Sequence, residues 1–365
     1  MTDKSSTIDT SESERRFDEL RNKLRPTHID IILQHISDVE GKKISLSDRE
    51  PEVLSGGVKR STYKFATDHG SYVVSISTPR ASISQEAHDL QAYLYEKGAP
   101  VAKLLGNVGN LPSGHQFQVA EFIAGKSGAL TRFTCEEMEA YGHALAKIHH
   151  LTEDFFRRRH IEPTHAREDW KYAGELLGLA NDVETQAIIR SLRDDTAISE
   201  SMLHAINDLR EQAYNLPDKK LKSGLAHGDT NLGNMIVAEN GQVTIIDLEM
   251  CGKGMPLRDL VIPVLWGCFS RDENKAIRID EQKVGAFFKG YDDERIKKDI
   301  KPLSMEEKRN VLELIKIEVK SFFNMSPKKW GTPQDYWELG KEVCSWVDRI
   351  AHSYISPAIT EKPRC

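Results

Sequence analysis

The chain has 365 residues, 39% hydrophobic and 29% charged, which is ordinary globular composition with more length than one core usually serves, so two packed units are expected. Fifty Lys and Arg stand against 56 Asp and Glu, and a formal net charge of -6 excludes the overall basic field that would hold a nucleic-acid backbone. The five cysteines lack CxxC spacing, which argues against a zinc site or a disulfide framework. No apolar run approaches membrane-spanning length, so a cytoplasmic protein without nucleic-acid or membrane partners is expected.

Residues 1–25 are polar and rich in Ser and Thr and read as a disordered leader. From Thr27, read as a cap, THIDIILQHISDV carries Ile29, Ile31, Ile32, Leu33 and Ile36 at roughly helical spacing. PEVLSGG, STYKFAT and SYVVSIS then read as an antiparallel meander, with turns at Ser55-Gly56-Gly57 and Asp68-His69-Gly70. A helix is expected over about 84–97, ended by Gly98 and Pro100, followed by strands in VAKLLGNVGN and HQFQVAEFI. Past Gly125 and Gly128 the pattern becomes long amphipathic helices. The first, CEEMEAYGHALAKIHHL, has its apolar stripe at Met138, Tyr141, Leu145, Ile148 and Leu151. The boundary falls near 124–131, and beyond it the chain reads as mostly helical with one hairpin at 235–246.

The segment 225–249, LAHGDTNLGNMIVAENGQVTIIDLE, carries the chemistry. Asn240-Gly241 between two apolar runs predicts a two-residue turn of type I′. That register sets Val237 against Thr244, Met235 against Ile246 and Asn234 against Asp247. Facing positions hold their Cβ atoms about 4.5–5.5 Å apart, so the Asn234 and Asp247 oxygens could share one hard cation such as magnesium. Asp229, five residues before Asn234, could reach the same end of the hairpin. A carboxylate able to accept a proton, beside an amide and a second carboxylate able to hold magnesium, is what phosphoryl transfer to an alcohol requires.

His227-Gly228-Asp229, Asn234 and Ile246-Asp247 resemble the HGDxxxxN and IDxE signature of aminoglycoside phosphotransferases, choline kinases and type II homoserine kinases. The resemblance spans roughly residues 27–325. It implies an α+β, bilobal protein-kinase-like fold, with a small antiparallel-sheet N-lobe and one main helix over 26–124 binding nucleotide. A larger, mostly helical C-lobe over 125–365 would be catalytic and bind the acceptor. It implies ATP and magnesium as cofactors and a small-molecule hydroxyl as acceptor. Asp229 would be the catalytic base, Asn234 and Asp247 the magnesium ligands, His227 a support of the loop and Asp259 in PLRDL its brace. Ser55, Gly56 and Gly57 would cover the nucleotide, Glu86 would sit on the lobe-bridging helix, and VAEFIAG, with Glu121 and Ile123, would read adenine through backbone groups. Glu249 is a further candidate for the substrate side.

One position departs from the family pattern. Where many relatives carry a Lys or Arg that grips the nucleotide phosphates, this chain has Ser75, and Glu86 lacks its usual partner. A turn made of His69-Gly70 would set Lys64 opposite Ser75; a longer loop would leave Lys59, Arg60 or Arg80 as candidates. The departure keeps a non-catalytic nucleotide-binding module open as the alternative reading. A protein kinase is the second rival, although no APE-like segment lies between Asp247 and Asp259. His149 and His150 read as a packed and an exposed histidine rather than metal ligands, and Trp330, Tyr336, Trp337 and Trp346 as packing rather than a cage for a cation.

Overall fold

The computed structural model describes residues 24–54, 60–77, 82–128, 133–160, 224–271, 277–325 and parts of 342–350. The expected leader up to residue 23, the Ser55-Gly56-Gly57 turn, Lys59, Arg80, Trp330, Tyr336 and Trp337 lie outside the described residues. Leu24, counted with the leader, is buried in the first core. The chain divides into two compact units, Met1–Ala124 and Gly125–Cys365.

In the first unit, helix α1 (Pro26–Glu40) begins with Pro26 rather than at a Thr27 cap. Proline at the first helical position gives up an N–H that has no intrahelical partner and brings a φ already suited to the helix, so no side-chain cap is required. Five strands follow: β1 (Glu52–Leu54), β2 (Arg60–Thr67), β3 (Gly70–Ser77), β4 (Leu104–Asn110) and β5 (Gln116–Glu121). They form one antiparallel sheet in the order β1-β2-β3-β5-β4. One face is apolar at every second residue. Tyr63, Phe65, Val74, Ile76, Phe117 and Val119 pack with Ile32 and Ile36 of α1. Helix α2 (Gln85–Glu96) starts at Ser84, whose side chain accepts the Ala87 N–H. Its Gln91 amide donates to Ala102 O at 2.9 Å, fixing the helix beside the approach to β4.

The β2–β3 turn differs from the expectation. Thr67 pairs with Gly70, so the two loop residues are Asp68 and His69, and the register runs two residues away from the one that set Lys64 against Ser75. Thr67 decides this: its hydroxyl donates to Gly70 O at 2.7 Å and accepts the His69 N–H at 3.2 Å, closing the turn one residue early. Lys64 therefore faces Val73, and Thr62 faces Ser75.

The second unit is built on α3 (Cys135–Arg159), which opens with a capping box between Thr134 and Glu137 and has Glu136 in its first turn and Arg157, Arg158 and Arg159 in its last. Those charges suit the positive start and negative end of the helix dipole. The stripe Met138, Tyr141, Leu145, Ile148 and Leu151 is buried as its spacing predicts. Helix α5 (Glu281–Lys297) lies against it at backbone distance. A Cβ on Gly142 would stand 2.2 Å from Phe287 O, and one on Gly290 2.0 Å from Glu139 O.

Short ladders interrupt the helices where only one hairpin was expected: β6 (Lys126–Ser127) on β8 (Met235–Val237), β7 (Gly224–Ala226) with β10 (Gly252–Gly254), and β11 (Phe269–Arg271) with β12 (Ile277–Ile279). Helices α4 (Val261–Gly267) and α6 (Met305–Met325) complete the described elements. Among the described residues, no helix is long and apolar enough to cross a membrane. Cys135 is disulfide-bonded, a bond the scattered spacing gave no sign of, while Cys251 and Cys268 are buried free thiols. Trp346 is buried, in keeping with packing.

Candidate active site

The hairpin of β8 and β9 (Val243–Ile245) closes differently from the two-residue turn read from Asn240-Gly241. Ala238 N–H donates to Gln242 O and Gly241 N–H to Ala238 O, both at 2.9 Å, so the loop holds three residues, Glu239, Asn240 and Gly241. Gly241 takes a left-handed φ of 78°, and Asn240 Oδ1 accepts the Gln242 N–H, the pattern of a turn followed by a left-handed bulge residue. Every pairing moves by one: Val237 faces Val243 and Met235 faces Ile245. Asn234 O then accepts the Ile246 N–H at 2.8 Å, so Asn234 and Asp247 are not directly opposite. Asp247 comes one residue later, exposed, in a left-handed conformation with φ 61°.

Asn234 instead meets Asp229 directly. Its Nδ2 donates to the Asp229 backbone O and to Asp229 Oδ2, both at 3.0 Å. Asn231, which the HGDxxxxN pattern does not specify, donates Nδ2 to Asp229 Oδ1 at 2.7 Å. Each oxygen of the Asp229 carboxylate is thus held by one carboxamide and keeps a lone pair for a further donor. With the Asn234 amide nitrogen committed to Asp229, its Oδ1 is the atom that can face a cation.

The loop carrying Asp229 is gripped from below. Gly228 has φ 82°, and a Cβ there would stand 2.5 Å from Met250 O, so only glycine allows this approach of the loop to the 3₁₀ turn at Leu248–Met250. The next 3₁₀ turn, Pro256–Leu260, presents Asp259, which is 3% exposed. Asp259 Oδ2 accepts the His227 N–H at 2.5 Å and Oδ1 the Gly228 N–H at 3.0 Å. His149 Nε2 also donates to Asp259 Oδ2 at 2.8 Å, while Tyr291 donates its hydroxyl to His149 Nδ1 at 2.8 Å. Two turns earlier on α3, Tyr141 donates its hydroxyl to Thr230 O at 3.2 Å. One helix therefore pins the loop at two points. The sequence marked Tyr141 and His149 only as packing residues and gave no sign of Tyr291; spacing on one helix cannot show a partner more than a hundred residues away.

Burial alone would push the Asp259 carboxyl up, but the hydrogen bond from His149, helped by the His227 N–H, outweighs it and holds the carboxyl below the usual range. Burial lowers His227, against the opposing pull of Asp259, Asp229 and Asp247, so its ring is neutral at physiological pH. Its Nδ1 accepts the Asp229 N–H at 3.2 Å, which leaves the proton on Nε2, a buried atom without a hydrogen-bond partner among the described residues. His227 thus orients the backbone of Asp229. Burial first, then Asp259 and Asp229, raise the Tyr141 hydroxyl, which keeps it a donor.

The remaining candidates lie as follows. Glu249 is half-buried in the 3₁₀ turn after Asp247, and Glu86 half-buried in the first turn of α2. At the end of β5, Glu121 N–H donates to Lys103 O at 2.8 Å and Phe122 N–H to Ser71 O at 3.1 Å. Among the described residues the Ile123 N–H has no acceptor and is the amide left to offer. A group of Glu139, His143 and Asp293 has metal-like spacing, but the Lys289 ammonium already stands 2.5 Å from Glu139 and 2.9 Å from Asp293.

The model of the family described as "Phosphotransferase enzyme family" matches residues 50–294, more than half of the chain. The chain belongs to that family. Solved structures agree on its kinase-like α+β fold. Spectinomycin phosphotransferase APH(9)-Ia, solved with ADP and spectinomycin, is 15% identical with a TM-score of 0.55, over 89% of this chain and 98% of that one. Choline kinase from Cryptosporidium parvum Iowa II is 13% identical with a TM-score of 0.54, over 90% and 96%. A microcompartment-associated aminopropanol kinase is 14% identical with a TM-score of 0.53, over 89% and 98%. This phosphotransferase thus shares its fold with kinases of quite different acceptors.

Proposed function

We propose that this phosphotransferase moves the γ-phosphoryl group of ATP, with magnesium, to a hydroxyl of a small molecule. One observation carries the reading: Asp229 has both carboxylate oxygens fixed by Asn231 and Asn234, on a loop anchored through Asp259. Asp229 accepts the proton of the acceptor hydroxyl as that oxygen bonds to phosphorus and the bond to the departing ADP oxygen breaks. Fixing the carboxylate beforehand means that little freedom remains to be lost when the acceptor arrives. The Asn234 Oδ1 and the exposed Asp247 carboxylate form an all-oxygen set that suits magnesium and would hold it. Bound there, the ion would neutralise polyphosphate charge. Ile123 offers its N–H to adenine, and Glu249 lies on the acceptor side.

The fold neighbours include proteins named for spectinomycin, choline and aminopropanol, which makes amino alcohols and aminocyclitols the first acceptors to try. The test is a panel of these compounds with amino acids and sugars, scored for ADP formation that depends on both acceptor and magnesium, with the phosphorylated product identified by mass. One acceptor giving stoichiometric product supports the reading. Nucleotide binding without consumption across the panel would favour a regulatory module instead.

A further inference from the structure

Resting on the phosphotransferase reading, we propose that Arg60 supplies the cation for the nucleotide phosphates that position 75 lacks. The face of the first-unit sheet away from α1 carries the alternate residues Thr62 and Lys64 of β2, Val73 and Ser75 of β3, and Gln118 and Ala120 of β5, all half-buried. Register orders them in rows. Leu54, Thr62, Ser75 and Gln118 form the middle row, which is neutral throughout. Glu52, Lys64, Val73 and Ala120 form the row on one side, and Arg60 opposite Ser77 the row on the other.

Arg60 and Lys64 are therefore the two diagonal neighbours of Ser75 on this face, each about 7–8 Å from it and within reach of a long side chain. Their positions along the sheet separate them. Lys64 Nζ lies 3.7 Å from Glu52 and 4.5 Å over the Phe122 ring, so its charge is held at the end of the sheet where β5 leaves it. That is the end with the Ile123 N–H, which has no acceptor among the described residues and suits a base rather than phosphates. Arg60 lies at the opposite end, where β2 begins immediately after the glycine-containing segment that follows β1. Beyond it the face closes: Ser77 is buried, its Oγ accepts the Gln116 N–H at 3.0 Å, and Gln116 Oε1 accepts the Ile83 N–H at 2.8 Å. A nucleotide laid along these rows with its base toward Ile123 brings its polyphosphate to the Arg60 row. A guanidinium there can engage two phosphate oxygens at once through its planar fork, which an ammonium cannot.

The experiment measures binding of adenosine, ADP and ATP with magnesium by calorimetry to the full chain and to Arg60→Ala, Arg60→Lys, Lys64→Met and the double variant Arg60→Ala/Ser75→Lys. Arg60→Ala should weaken ATP and ADP ten- to a hundredfold while adenosine binds as before, which also reports an intact fold. Arg60→Lys should fall between the two, Lys64→Met should leave the ATP-to-adenosine ratio within threefold, and Ser75→Lys should restore phosphate affinity to the Arg60→Ala chain. An unchanged ratio in Arg60→Ala, or a selective loss of ATP in Lys64→Met, overturns the assignment and leaves the phosphotransferase reading standing. Failure of the wild-type chain to bind any of the three overturns both.

Discussion

Asp259→Asn keeps the size of a buried side chain and removes one of its two acceptor oxygens. Oδ2 accepts from His227 N–H and His149, and Oδ1 from Gly228 N–H, so either orientation of the amide turns an NH2 group toward at least one N–H donor. Leaving a buried donor unpaired costs about 1–3 kcal/mol, and the upper half of that range applies because the surviving bonds lose their charge assistance. The variant should therefore show a lower urea midpoint with an unchanged slope. Its turnover should fall more than its nucleotide affinity, because the loop holding Asp229 loses its anchor. The effect has a pH signature. Although burial pushes the Asp259 carboxyl up, the His149 and His227 interactions prevail and hold it below its unfolded value. Its stabilisation is complete above the unfolded carboxylate pKa of about 3.9 and is lost as pH falls through the lower folded value. The midpoint gap between wild type and variant should accordingly be constant from neutral pH down to the region of pH 4 and narrow below it. Equal midpoints at pH 7, or a gap that widens in acid, would refute the anchoring role.

Tyr291→Phe removes the hydroxyl that donates to His149 Nδ1, for an expected loss of about 1 kcal/mol; combined with Asp259→Asn the losses should be less than additive, since both act through His149. Gly290→Ala drives a methyl group against Glu139 O and should cost about 1–3 kcal/mol of stability, read as a lower urea midpoint, with nucleotide affinity preserved in the folded fraction. Asn231→Ala frees one oxygen of Asp229 and should lower kcat with ATP affinity unchanged, which steady-state kinetics and calorimetry together would check.

Elements with strong local periodicity were readable from the sequence. The α3 stripe, the alternation in β2 and β3 and the apolar face of α1 need only side chains a few residues apart; the stripe and the inner strand positions are buried, as are Ile32 and Ile36 of α1, with Ile29 and Leu33 half-buried beside them. Registers were harder, because one side chain can move them. The Thr67 hydroxyl closed one turn early, and the Gly241 bulge lengthened the other, displacing Lys64 from Ser75 and Asn234 from Asp247. The β7–β10 and β6–β8 ladders, two or three residues long, carry no alternation to read. Asp229 and Asn234 were legible from their spacing on one loop. Asn231 stands in the same motif, but a second asparagine in a polar loop carries no signal of its own. His149 and Tyr291 depend on two distant helices meeting at Gly142 and Gly290, and neither helix alone indicates the partner.

Asp229→Ala gives the most direct measurement of the central claim, that this carboxylate takes the proton of the acceptor hydroxyl. Transfer from ATP to the acceptor identified by the panel should fall at least a hundredfold, within the range for loss of a general base, while calorimetry shows ATP binding within a few-fold of wild type. Turnover in Asp229→Ala close to that of the wild-type chain would contradict the account.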